Sequence, residues 1–444
     1  CQVFQLGAFQ YISKPFDVQI LLDKVALCVG AAEAIEAYEE VPLEVEEKTF
    51  KKIRKNYDQK SLNQKTDYLE KKLGKKLIHI RGCSYDTEHF RGNIENPLGI
   101  IQTPLGIIGP MKLNGKSAKG DFWIPMATTE GALLLTYDLG ARLTSMGDGV
   151  QTEVLSKVIH ISPMFPIVSD EDKKIKDLLS RNYEMIKNIA EGKSDHTKLL
   201  GIDQVKVGRN YVLRFRYDTC DAHGLNMVNQ ATFNACKYIE SKIDVAFYHR
   251  SHYSGVKHHS KQNEKDGYGR QVMAKTVIPS KALAMLRVTA QQLQDFCDRC
   301  IECGSAAGVD HINVHAANAI TAIFLACGQD PADLISSAIC KGKTEVVNGK
   351  DLYWECDLKN LLVGTVGGGT GLETQHECLD IMDCYGPGKS DKFAELVAAT
   401  ALVGELPTAA AVITQTYVEI HNKYGRNPIR SGIAGQVGFE PISL

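Results

Sequence analysis

The segment HRSHYSGVKHHSKQN, from His249 to Asn263, contains four histidines and three basic side chains but no acid. Four imidazoles could bind zinc, which takes histidine ligands in proteins. A zinc site also needs groups that orient the imidazoles, and this segment supplies no carboxylate for that purpose. The spacing is that of a loop. We therefore favour an interpretation without a metal, and the rest of the chain has to explain Lys257.

Two acidic residues lie beside apolar helical patterns. In IPMATTEGALLLTYDLG, Thr128 and Thr129 can cap a helix that has Glu130 in its first turn. Taken alone, this segment predicts a capping-box acid. In NVHAANAITAIFLACGQDP, an apolar helix ends at Gly328 and Asp330 follows it, where an aspartate that forms a turn is also common. Neither pattern by itself indicates catalysis.

Glycines precede a predicted helix in LLVGTVGGGTGLETQ. Gly367, Gly368 and Gly369 would leave backbone N–H groups free to bind an anion at the helix N-terminus. The pattern is not GxGxxG and no alternation of strands and helices surrounds it, so a Rossmann domain is disfavoured. A second segment, RFRYDTCDAHGLNMVN, places Asp221 and Gly224 on a turn from a strand into a helix.

Cysteines suggest two further interpretations. Cys297, Cys300 and Cys303 have the two-residue gaps of iron–sulfur ligands, but no fourth cysteine follows closely and the same spacing is one face of a helix. We favour the helix. The thirteen cysteines of the chain are irregularly spaced, which is typical of reduced thiols, so we expect a cytoplasmic protein.

The composition excludes several classes of protein. The chain has 444 residues, of which 44% are hydrophobic and 23% charged, as in ordinary globular proteins. Its formal net charge of −2 gives no electrostatic reason to expect nucleic acid or an anionic membrane as a partner. No uninterrupted apolar run approaches the roughly 20 residues of a membrane span. We therefore expect a soluble protein that acts on a small molecule.

The beginning of the chain has a separate character. GAFQYISKPFDVQILLDKVALCV resembles the last strand and helix of a response-regulator receiver domain, in which the lysine of the Lys-Pro step contacts the phosphoryl group. No strand with a phosphoacceptor aspartate accompanies it, so residues 1–40 are expected to be a receiver-domain fragment without phosphorylation chemistry. Residues 41–93 are expected to form a helical linker, because their charges recur at helical spacing as on a solvated helix.

Five motifs together point to one family. ENPLG, PMATTEGAL, DAHGLNMVN, HAANAITAIFLACGQD and GTVGGGTGL, in this order, resemble hydroxymethylglutaryl-CoA reductase over residues 94 to 430. The resemblance implies an α+β fold with a large α/β domain around a long central helix, made from residues 94–153 and 260–444. It also implies an inserted ferredoxin-like NAD(P)-binding domain, residues 154–249, a catalytic loop at 250–259, and a homodimer with the active site between subunits.

The same resemblance implies a reaction. The family reduces a CoA thioester to an alcohol in two hydride transfers, with NADPH as our first choice of cofactor, NADH as the alternative, and no metal. Lys257 would polarise the carbonyl, Asp330 would hold its charge, and Glu130 would donate the proton to oxygen. His421 would protonate the departing thiolate.

The resemblance also assigns binding residues. Those implied along the dinucleotide are Asp221, Ala222, Gly224, Leu225, Asn226, Gly367, Gly368, Gly369, Thr370 and Arg426. Those implied for the substrate are Glu95, Asn96, Asn318 and Gln329.

Several residues depart from the pattern of the family. Glu153 occupies the position of an arginine that binds the substrate carboxylate, and Val256, His258 and Cys300 replace other charged residues. A carboxylate at such a site repels the substrate. Asp195 would likewise repel the 2′-phosphate of NADPH. Reduction of another acyl thioester is therefore an alternative function, and a ligand-binding regulatory module without enzyme activity is a second.

Overall fold

The computed structural model describes residues 49, 52–53, 56–74, 77, 86–192, 195–309, 313 and 315–425. The receiver-like fragment at 1–40 and Arg426 lie outside the described residues. Contacts divide the chain into two units, Cys1–Ile101 and Gln102–Leu444.

The first unit contains helix α1 (Gln59–Leu73). Asp58 caps its first turn by accepting a hydrogen bond from Ser61 N–H at 2.9 Å, and Gly74 ends it with a positive φ of 63°. Helix α1 lies within the expected helical linker, residues 41–93, whose extent stays a prediction. One face of α1 is nevertheless buried, including Leu62 and Tyr68, so this helix is not solvated on all sides.

The second unit contains the strands and most of the helices. Its described strands are β1 (Leu105–Asn114), β2 (Lys119–Ala127), β3 (Gln151–Ile161), β4 (Met164–Pro166), β5 (Lys198–Val207), β6 (Asn210–Asp218), β7 (Gly269–Ile278), β8 (Cys340–Val347) and β9 (Asp351–Leu361). Its described helices are α2 (Leu133–Ser145), α3 (Glu171–Glu191), α4 (Leu225–Ile243), α5 (Lys261–Asp266), α6 (Ser280–Met285), α7 (Ala290–Ala306), α8 (Ala316–Ala326), α9 (Leu334–Ser337), α10 (Glu373–Ile381), α11 (Ser390–Ile413) and α12 (Tyr417–Ile420).

Strand β3 joins two parts of one antiparallel sheet. Six of its seven strands follow the order β4-β6-β3-β7-β9-β8, and the seventh, β5, pairs with β6. The first part of β3, residues 151–158, pairs with β7, and its last three residues, 159–161, pair with β6. Because these named strand pairs are antiparallel, this is not the parallel sheet of a Rossmann domain, in agreement with the glycine pattern.

The part of the sheet around β6 has the ferredoxin-like strand order. β3 and β4 follow one another along one edge of β6, β5 lies along the other edge, and Tyr248 forms an antiparallel bridge with Met164. Helices α3 and α4 provide the two crossovers. This part has its own hydrophobic core, to which Phe165, Phe215 and Ile239 contribute, separate from the larger core of the unit. The boundaries at 154 and 249 stay a prediction.

Helix α11 is the long central helix. It is apolar all round, and nearly every residue from Ser390 to Ala410 is buried. Among the described helices it alone has the length and hydropathy to cross a membrane, but 83% of the relevant window is buried inside the protein. The core helix of a globular domain has these properties, so α11 is weak support for a membrane span. In the sequence, Glu395 and Glu405 interrupt its apolar run.

Helices α2 and α11 cross at two glycines. A Cβ placed on Gly140 would lie 1.8 Å from the carbonyl oxygen of Val403, and one placed on Gly404 would lie 2.2 Å from the ring of Tyr137. The carbonyl of Val403 belongs to the backbone of α11, so it cannot move aside as a flexible side chain can. The close crossing of the two helices therefore depends on the absence of a side chain at Gly140.

Gly140→Ala is expected to lower the free energy of unfolding by about 1–3 kcal/mol, the usual range for overpacking a core. Denaturant unfolding measures the change. Gly371→Ala is the control, because a Cβ there has no atom within 4 Å and its φ is not positive. Equal stability of the two variants would contradict the close crossing.

Candidate active site

Lys257 lies on a tightly anchored loop between the two parts of the sheet. It has a left-handed φ of 57°, which costs a residue other than glycine roughly 1 kcal/mol or more. Beneath it, the Asn263 amide, which is 1% exposed, donates a hydrogen bond to the Ser254 carbonyl at 3.0 Å. Gly255 is required there, since a Cβ would lie 2.6 Å from the same amide nitrogen. The loop therefore holds Lys257 in a conformation that it would seldom adopt alone.

The ammonium of Lys257 forms an ion pair with Asp330, with Nζ 2.6 Å from Oδ2. Asp330 follows helix α8 and caps a short 3₁₀ turn, Pro331–Asp333, by accepting the Ala332 N–H at 3.0 Å. Partial burial alone would raise the pKa of Asp330, but the hydrogen bonds from Lys257 and Ala332 hold it below its ordinary value. The carboxylate is thus ionised and shared between the loop and the turn.

Glu130 is not a capping-box acid. Helix α2 begins at Leu133, three residues later than a cap at Thr129 would require, and Ala132 precedes it with a left-handed φ of 69° and no side-chain cap. The Thr128 hydroxyl accepts the backbone N–H of Glu130 itself at 3.1 Å. The Glu130 side chain is exposed, and the hydrogen bond that it accepts comes from Asn318 and not from the first turn of α2.

The Glu130 carboxylate instead joins a polar chain at the start of α8. It accepts a hydrogen bond from the Asn318 amide at 3.3 Å, and that amide lies 3.2 Å from Nε2 of His315. Tyr137 stacks on the His315 ring and donates its hydroxyl to the His315 carbonyl at 2.8 Å. Burial, and secondarily the neighbouring His421, lower the pKa of His315 to about 4. His315 is therefore neutral at physiological pH.

His421 lies in the helical turn after α12. Its Nδ1 is 2.8 Å from the Tyr417 carbonyl, which can only accept, so Nδ1 carries the hydrogen and Nε2 remains available. The end of this turn packs against the backbone next to Glu130. A Cβ placed on Gly131 would lie only 2.5 Å from Cα of Gly425, so the two backbone segments are in close contact. His421 and Glu130 thus belong to one group of residues.

The four expected catalytic residues form two groups in the chain. Glu130 contacts Asn318 in the first turn of α8, whereas Lys257 contacts Asp330, beyond the other end of that helix. Eleven helical residues span about 16 Å. One chain thus presents an acid with a histidine at one end of α8 and a lysine–aspartate pair at the other.

The two predicted cofactor segments lie side by side. Ala222 and Val366 form a parallel bridge, and Thr365 N–H donates to the Asp221 carbonyl at 2.9 Å. Gly367 and Gly368 have positive φ, and a Cβ on either would have no atom within 4 Å, which leaves their backbone open. A phosphate could be bound by such backbone and by the N-terminus of α4. Arg426, outside the described residues, stays a prediction.

The Asp221 carboxylate binds groups of the protein itself, and its expected place along the dinucleotide stays a prediction. Its carboxylate accepts hydrogen bonds from Gly388 N–H at 2.8 Å and from the hydroxyl of Ser390 at 2.8 Å. Burial alone would raise its pKa, but these hydrogen bonds keep the pKa below its ordinary value. Asp221 therefore caps the start of the central helix, and its side chain is engaged by the protein.

Gln329 was expected to bind substrate, and the structure gives its amide other partners. Its Nε2 donates to the carbonyls of Cys327 and Gly364 at 2.8 and 3.0 Å, and its Oε1 accepts Gly364 N–H at 2.8 Å. Both ends of the buried amide are used. Gln329 therefore positions the glycine-rich segment, and its expected contact with substrate stays a prediction.

Comparisons with known proteins identify the family of the chain. The family model for hydroxymethylglutaryl-coenzyme A reductase matches residues 61–426. The chain belongs to the hydroxymethylglutaryl-CoA reductase family. The 3-hydroxy-3-methylglutaryl-coenzyme A reductase of Methanocaldococcus jannaschii is 38% identical over 370 residues, which cover 81% of this chain and 91% of that protein. The corresponding protein of Pyrococcus horikoshii is 37% identical over 370 residues, 81% of this chain and 90% of that protein.

The fold is shared with a solved reductase of this family. The class II 3-hydroxy-3-methylglutaryl-CoA reductase of Streptococcus pneumoniae, determined bound to NADPH in open conformations, superposes with a TM-score of 0.60 at 16% identity. The superposition covers 72% of this chain and 88% of that one. It shows a common fold. The family match also begins at residue 61, inside α1, so part of the expected linker belongs to the reductase region.

Glu153, the main departure from the family pattern, has a partner that the sequence analysis missed. Its carboxylate forms an ion pair with Lys116, which is 37 residues away in sequence and follows β1. The charge of Glu153 is therefore compensated. No local pattern could have revealed this pair, because only the pairing of the strands brings the two residues together.

The remaining predicted residues are distributed as follows. Glu95 and Asn96 lie in the first unit, where Glu95 is exposed and Asn96 is half-buried with a left-handed φ of 54°. Cys297, Cys300 and Cys303 lie on α7, as the helical interpretation expected. In the described part of the chain, no group of three or more His, Cys, Asp or Glu residues could hold a metal ion.

The Lys257–Asp330 pair is expected to stabilise the fold in a pH-dependent way. Because the pKa of Asp330 is lower in the folded chain than in the unfolded chain, the stabilisation is present above about pH 4 and is lost as the pH falls through the folded-state pKa. The side chains are 39% and 40% exposed, so it amounts to less than about 1 kcal/mol. Urea unfolding of wild type and Asp330→Asn should show a difference at pH 7 that shrinks at pH 3. A difference that grew at pH 3 would contradict the assignment.

Proposed function

We propose that the chain reduces hydroxymethylglutaryl-CoA to mevalonate and CoA, with NADPH as the preferred hydride donor. The observation that carries this proposal is the ion pair of Lys257 with Asp330, at 2.6 Å, in a member of this family. A carbonyl that accepts a hydride develops negative charge on oxygen, and an ammonium held by a carboxylate is suited to stabilise it.

Each catalytic group has a distinct task in the proposed reaction. The nicotinamide cofactor, when bound, supplies one hydride in each of the two reduction steps. Lys257 would stabilise the oxygen of the thioester and later of the aldehyde, and Glu130 would deliver a proton to that oxygen. The Nε2 side of His421 would donate a proton to the thiolate of CoA, because Nδ1 is engaged by the Tyr417 carbonyl.

The backbone around the glycines fits a dinucleotide. The space beside Gly367 and Gly368 is empty, because a Cβ on either would have no atom within 4 Å. Asn226 is exposed in the first turn of α4, which follows the loop that carries Asp221. A single residue, Asp195, bears on the choice between NADPH and NADH. Asp195 is exposed in the turn before β5, and a carboxylate there would disfavour the 2′-phosphate of NADPH, so NADH is the alternative.

The alternative acyl substrate has lost part of its support. The pairing of Glu153 with Lys116 compensates the charge that would repel a substrate carboxylate. Val256 packs against the core of the ferredoxin-like part, and His258 and Cys300 still replace charged residues of the family pattern. These three residues keep the alternative worth testing.

One assay distinguishes the candidate functions. Oxidation of NADPH and of NADH is followed with hydroxymethylglutaryl-CoA and with a panel of other acyl-CoA thioesters. We expect turnover with hydroxymethylglutaryl-CoA. Turnover with other thioesters only would replace the proposed substrate, and no turnover with any of them would favour a regulatory module without enzyme activity.

Lys257→Ala is expected to lower kcat by about 10²–10³-fold, the usual loss when one group that stabilises an oxyanion is removed. Lys174→Ala is the matched control, because Lys174 forms a comparable exposed ion pair with Asp170, at 3.0 Å, on α3. Steady-state kinetics measure both. Retention of wild-type kcat by Lys257→Ala would refute the role of the lysine.

We further propose a homodimer whose active sites each combine residues of two chains. Glu130 and Lys257 lie at opposite ends of α8 in one chain, about 16 Å apart along the helix, which is too far for both to act on one carbonyl. A second copy could bring its Glu130 group to the Lys257 group of the first.

The ten cysteines that the structure describes are free thiols, which supports a reducing compartment such as the cytoplasm.

Mixing two inactive variants tests the shared site. Glu130→Gln and Lys257→Ala chains, unfolded together and refolded, should regain about one quarter of wild-type activity, because random two-fold dimers restore one site in half of the molecules. Each variant refolded alone is the control. No recovery, with dimers confirmed by light scattering, would place both residues of a site in one chain.

A further inference from the structure

A buried arginine connects the two predicted cofactor segments, which are the cofactor loop, residues 219–224, and the glycine-rich segment, residues 364–371. Arg270 lies at the start of β7 and is 5% exposed. The register between β7 and β9 shifts between Arg270 and Val272, and such irregularities in a ladder commonly redirect a side chain. No local pattern in the sequence marks Arg270, because its side-chain partners are distant along the chain.

The guanidinium of Arg270 donates a hydrogen bond to the backbone of each segment or next to it. Its Nη2 donates to the Cys220 carbonyl, in the cofactor loop, at 2.6 Å. Its Nη1 donates to the Val363 carbonyl, immediately before the glycine-rich segment, at 2.8 Å. Because a guanidinium is planar and presents its N–H groups in a fixed fork, these two hydrogen bonds set the separation of the two carbonyls.

Two further hydrogen bonds hold the guanidinium itself in place. Nη2 also donates to the Ser390 hydroxyl at 2.7 Å, and Nε donates to Oδ1 of Asp391 at 3.2 Å, both at the start of the central helix α11. A buried cation needs an opposite charge, and Asp391 supplies it. Since these hydrogen bonds all end on groups of the protein, Arg270 can affect a ligand only through the backbone that it holds.

The backbone of the cofactor loop depends on such contacts. Cys220 has a left-handed φ of 52°, which is unfavourable for a residue other than glycine and persists only where the surroundings hold it. Its N–H donates to Oδ1 of Asp218 at 2.9 Å, and Arg270 takes up its carbonyl. In the next residue along the loop, the Asp221 carbonyl accepts the Thr365 N–H at 2.9 Å. The contact with Arg270 therefore lies directly beside the place where the two segments pair.

We propose that Arg270 is a positioning residue for the nicotinamide dinucleotide. By holding the carbonyls of Cys220 and Val363 it keeps the two segments aligned, so that the open backbone of Gly367 and Gly368 and the start of α4 face one ligand together. When only a fraction of the molecules is aligned, the apparent Kd rises in inverse proportion to that fraction. This inference rests on the proposed reductase function.

Arg270→Lys tests the alignment by direct binding. An ammonium keeps the positive charge, but its donors diverge from one nitrogen, so it cannot bridge both carbonyls as the guanidinium does. NADPH and NADH are each titrated against wild type and variant, and nicotinamide fluorescence reports binding. We expect the Kd of the bound nucleotide to rise about tenfold, as the loss of one hydrogen bond from a charged donor would produce. An unchanged Kd would overturn the positioning role.

Lys157→Met is the matched control. Lys157 forms an ion pair with the other oxygen of Asp391, with Nζ 2.5 Å from Oδ2, and in the described structure its side chain donates no hydrogen bond to either cofactor segment. This variant removes a cation from the same carboxylate and leaves both carbonyl contacts of Arg270 in place, so its Kd should match wild type. An equal rise in Kd would assign the effect to the start of α11 and overturn the role of the carbonyl contacts.

Steady-state kinetics separate positioning from a general loss of structure. In Arg270→Lys the KM for the nucleotide should rise about tenfold, while kcat and the KM for the acyl-CoA change little, because Lys257 and Glu130 are untouched. A lower kcat with an unchanged KM for the nucleotide would contradict the inference. If Arg270→Lys does not fold, Asp391→Asn is the milder variant. It weakens the contact that orients Nε, and its Kd should rise by a smaller factor; an unchanged Kd would again overturn the inference.

Amide hydrogen exchange tests the alignment without cofactor or substrate. In Arg270→Lys the Thr365 N–H should exchange about tenfold faster than in wild type, because its hydrogen bond to the Asp221 carbonyl opens more often. The Cys327 N–H, which is bonded to the Ile323 carbonyl at 2.9 Å at the end of α8, is the internal control and should exchange as in wild type. Unchanged exchange at Thr365 would overturn the role of Arg270 in holding the segments.

The outcomes separate this inference from the proposed function. Wild-type turnover and wild-type nucleotide binding in Arg270→Lys would overturn the positioning role and leave the reductase function intact. A wild-type protein that binds neither NADPH nor NADH would refute the reductase function and the cofactor role of Arg270 together, and the exchange of Thr365 would then show only whether Arg270 aligns the two segments.

Discussion

The site depends on two hydrogen bonds between the side-chain amide of Gln329 and the backbone of Gly364. Gln329 follows α8 and immediately precedes Asp330, and Gly364 begins the glycine-rich segment. Because Gly364 also packs against the backbone of His223, one buried amide fixes the separation of the catalytic turn, the glycine-rich segment and the cofactor loop. A shorter or apolar side chain at 329 would leave the buried N–H and C=O of Gly364 unsatisfied, which is the more costly half of losing a hydrogen bond.

Two buried carboxylates on the central helix extend the same principle to the rest of the unit. Glu395 accepts Ala118 N–H at 2.8 Å and the Thr152 hydroxyl at 3.0 Å, which ties α11 to the turn after β1 and to β3. Burial raises the pKa of Glu395 despite these donors. Glu405 accepts the backbone N–H of His315 at 2.6 Å, immediately before α8. An apolar helix can lie in many rotations against an apolar core, and these two polar anchors select one of them.

The sequence predicts those features that belong to a recognisable motif better than those that depend on contacts between distant residues. The order of the motifs and their resemblance to the family predicted the fold class, the central helix, and the pairing of Lys257 with Asp330. The hydrogen-bond partners of Gln329 and Asp221 could not be predicted, because a motif gives the position of a side chain in the chain but not which distant backbone groups it meets. Glu130 was read locally as a cap, since nothing in the sequence shows that Ala132 takes a left-handed conformation and delays the helix.

The pairing of Glu153 with Lys116 changes where the specificity for the acyl group has to be sought. A lone glutamate on β3 would repel a substrate carboxylate, but an ion pair presents a neighbouring ammonium as well, and a carboxylate can approach that cation. The loop that carries Lys257 contributes further basic groups, including Arg250, without an acid between them. Since the net charge that a carboxylate meets is the sum over all these groups, the loss of one arginine from the family pattern does not by itself exclude hydroxymethylglutarate. Position 153 therefore cannot be considered without Lys116 when the specificity for the acyl group is examined.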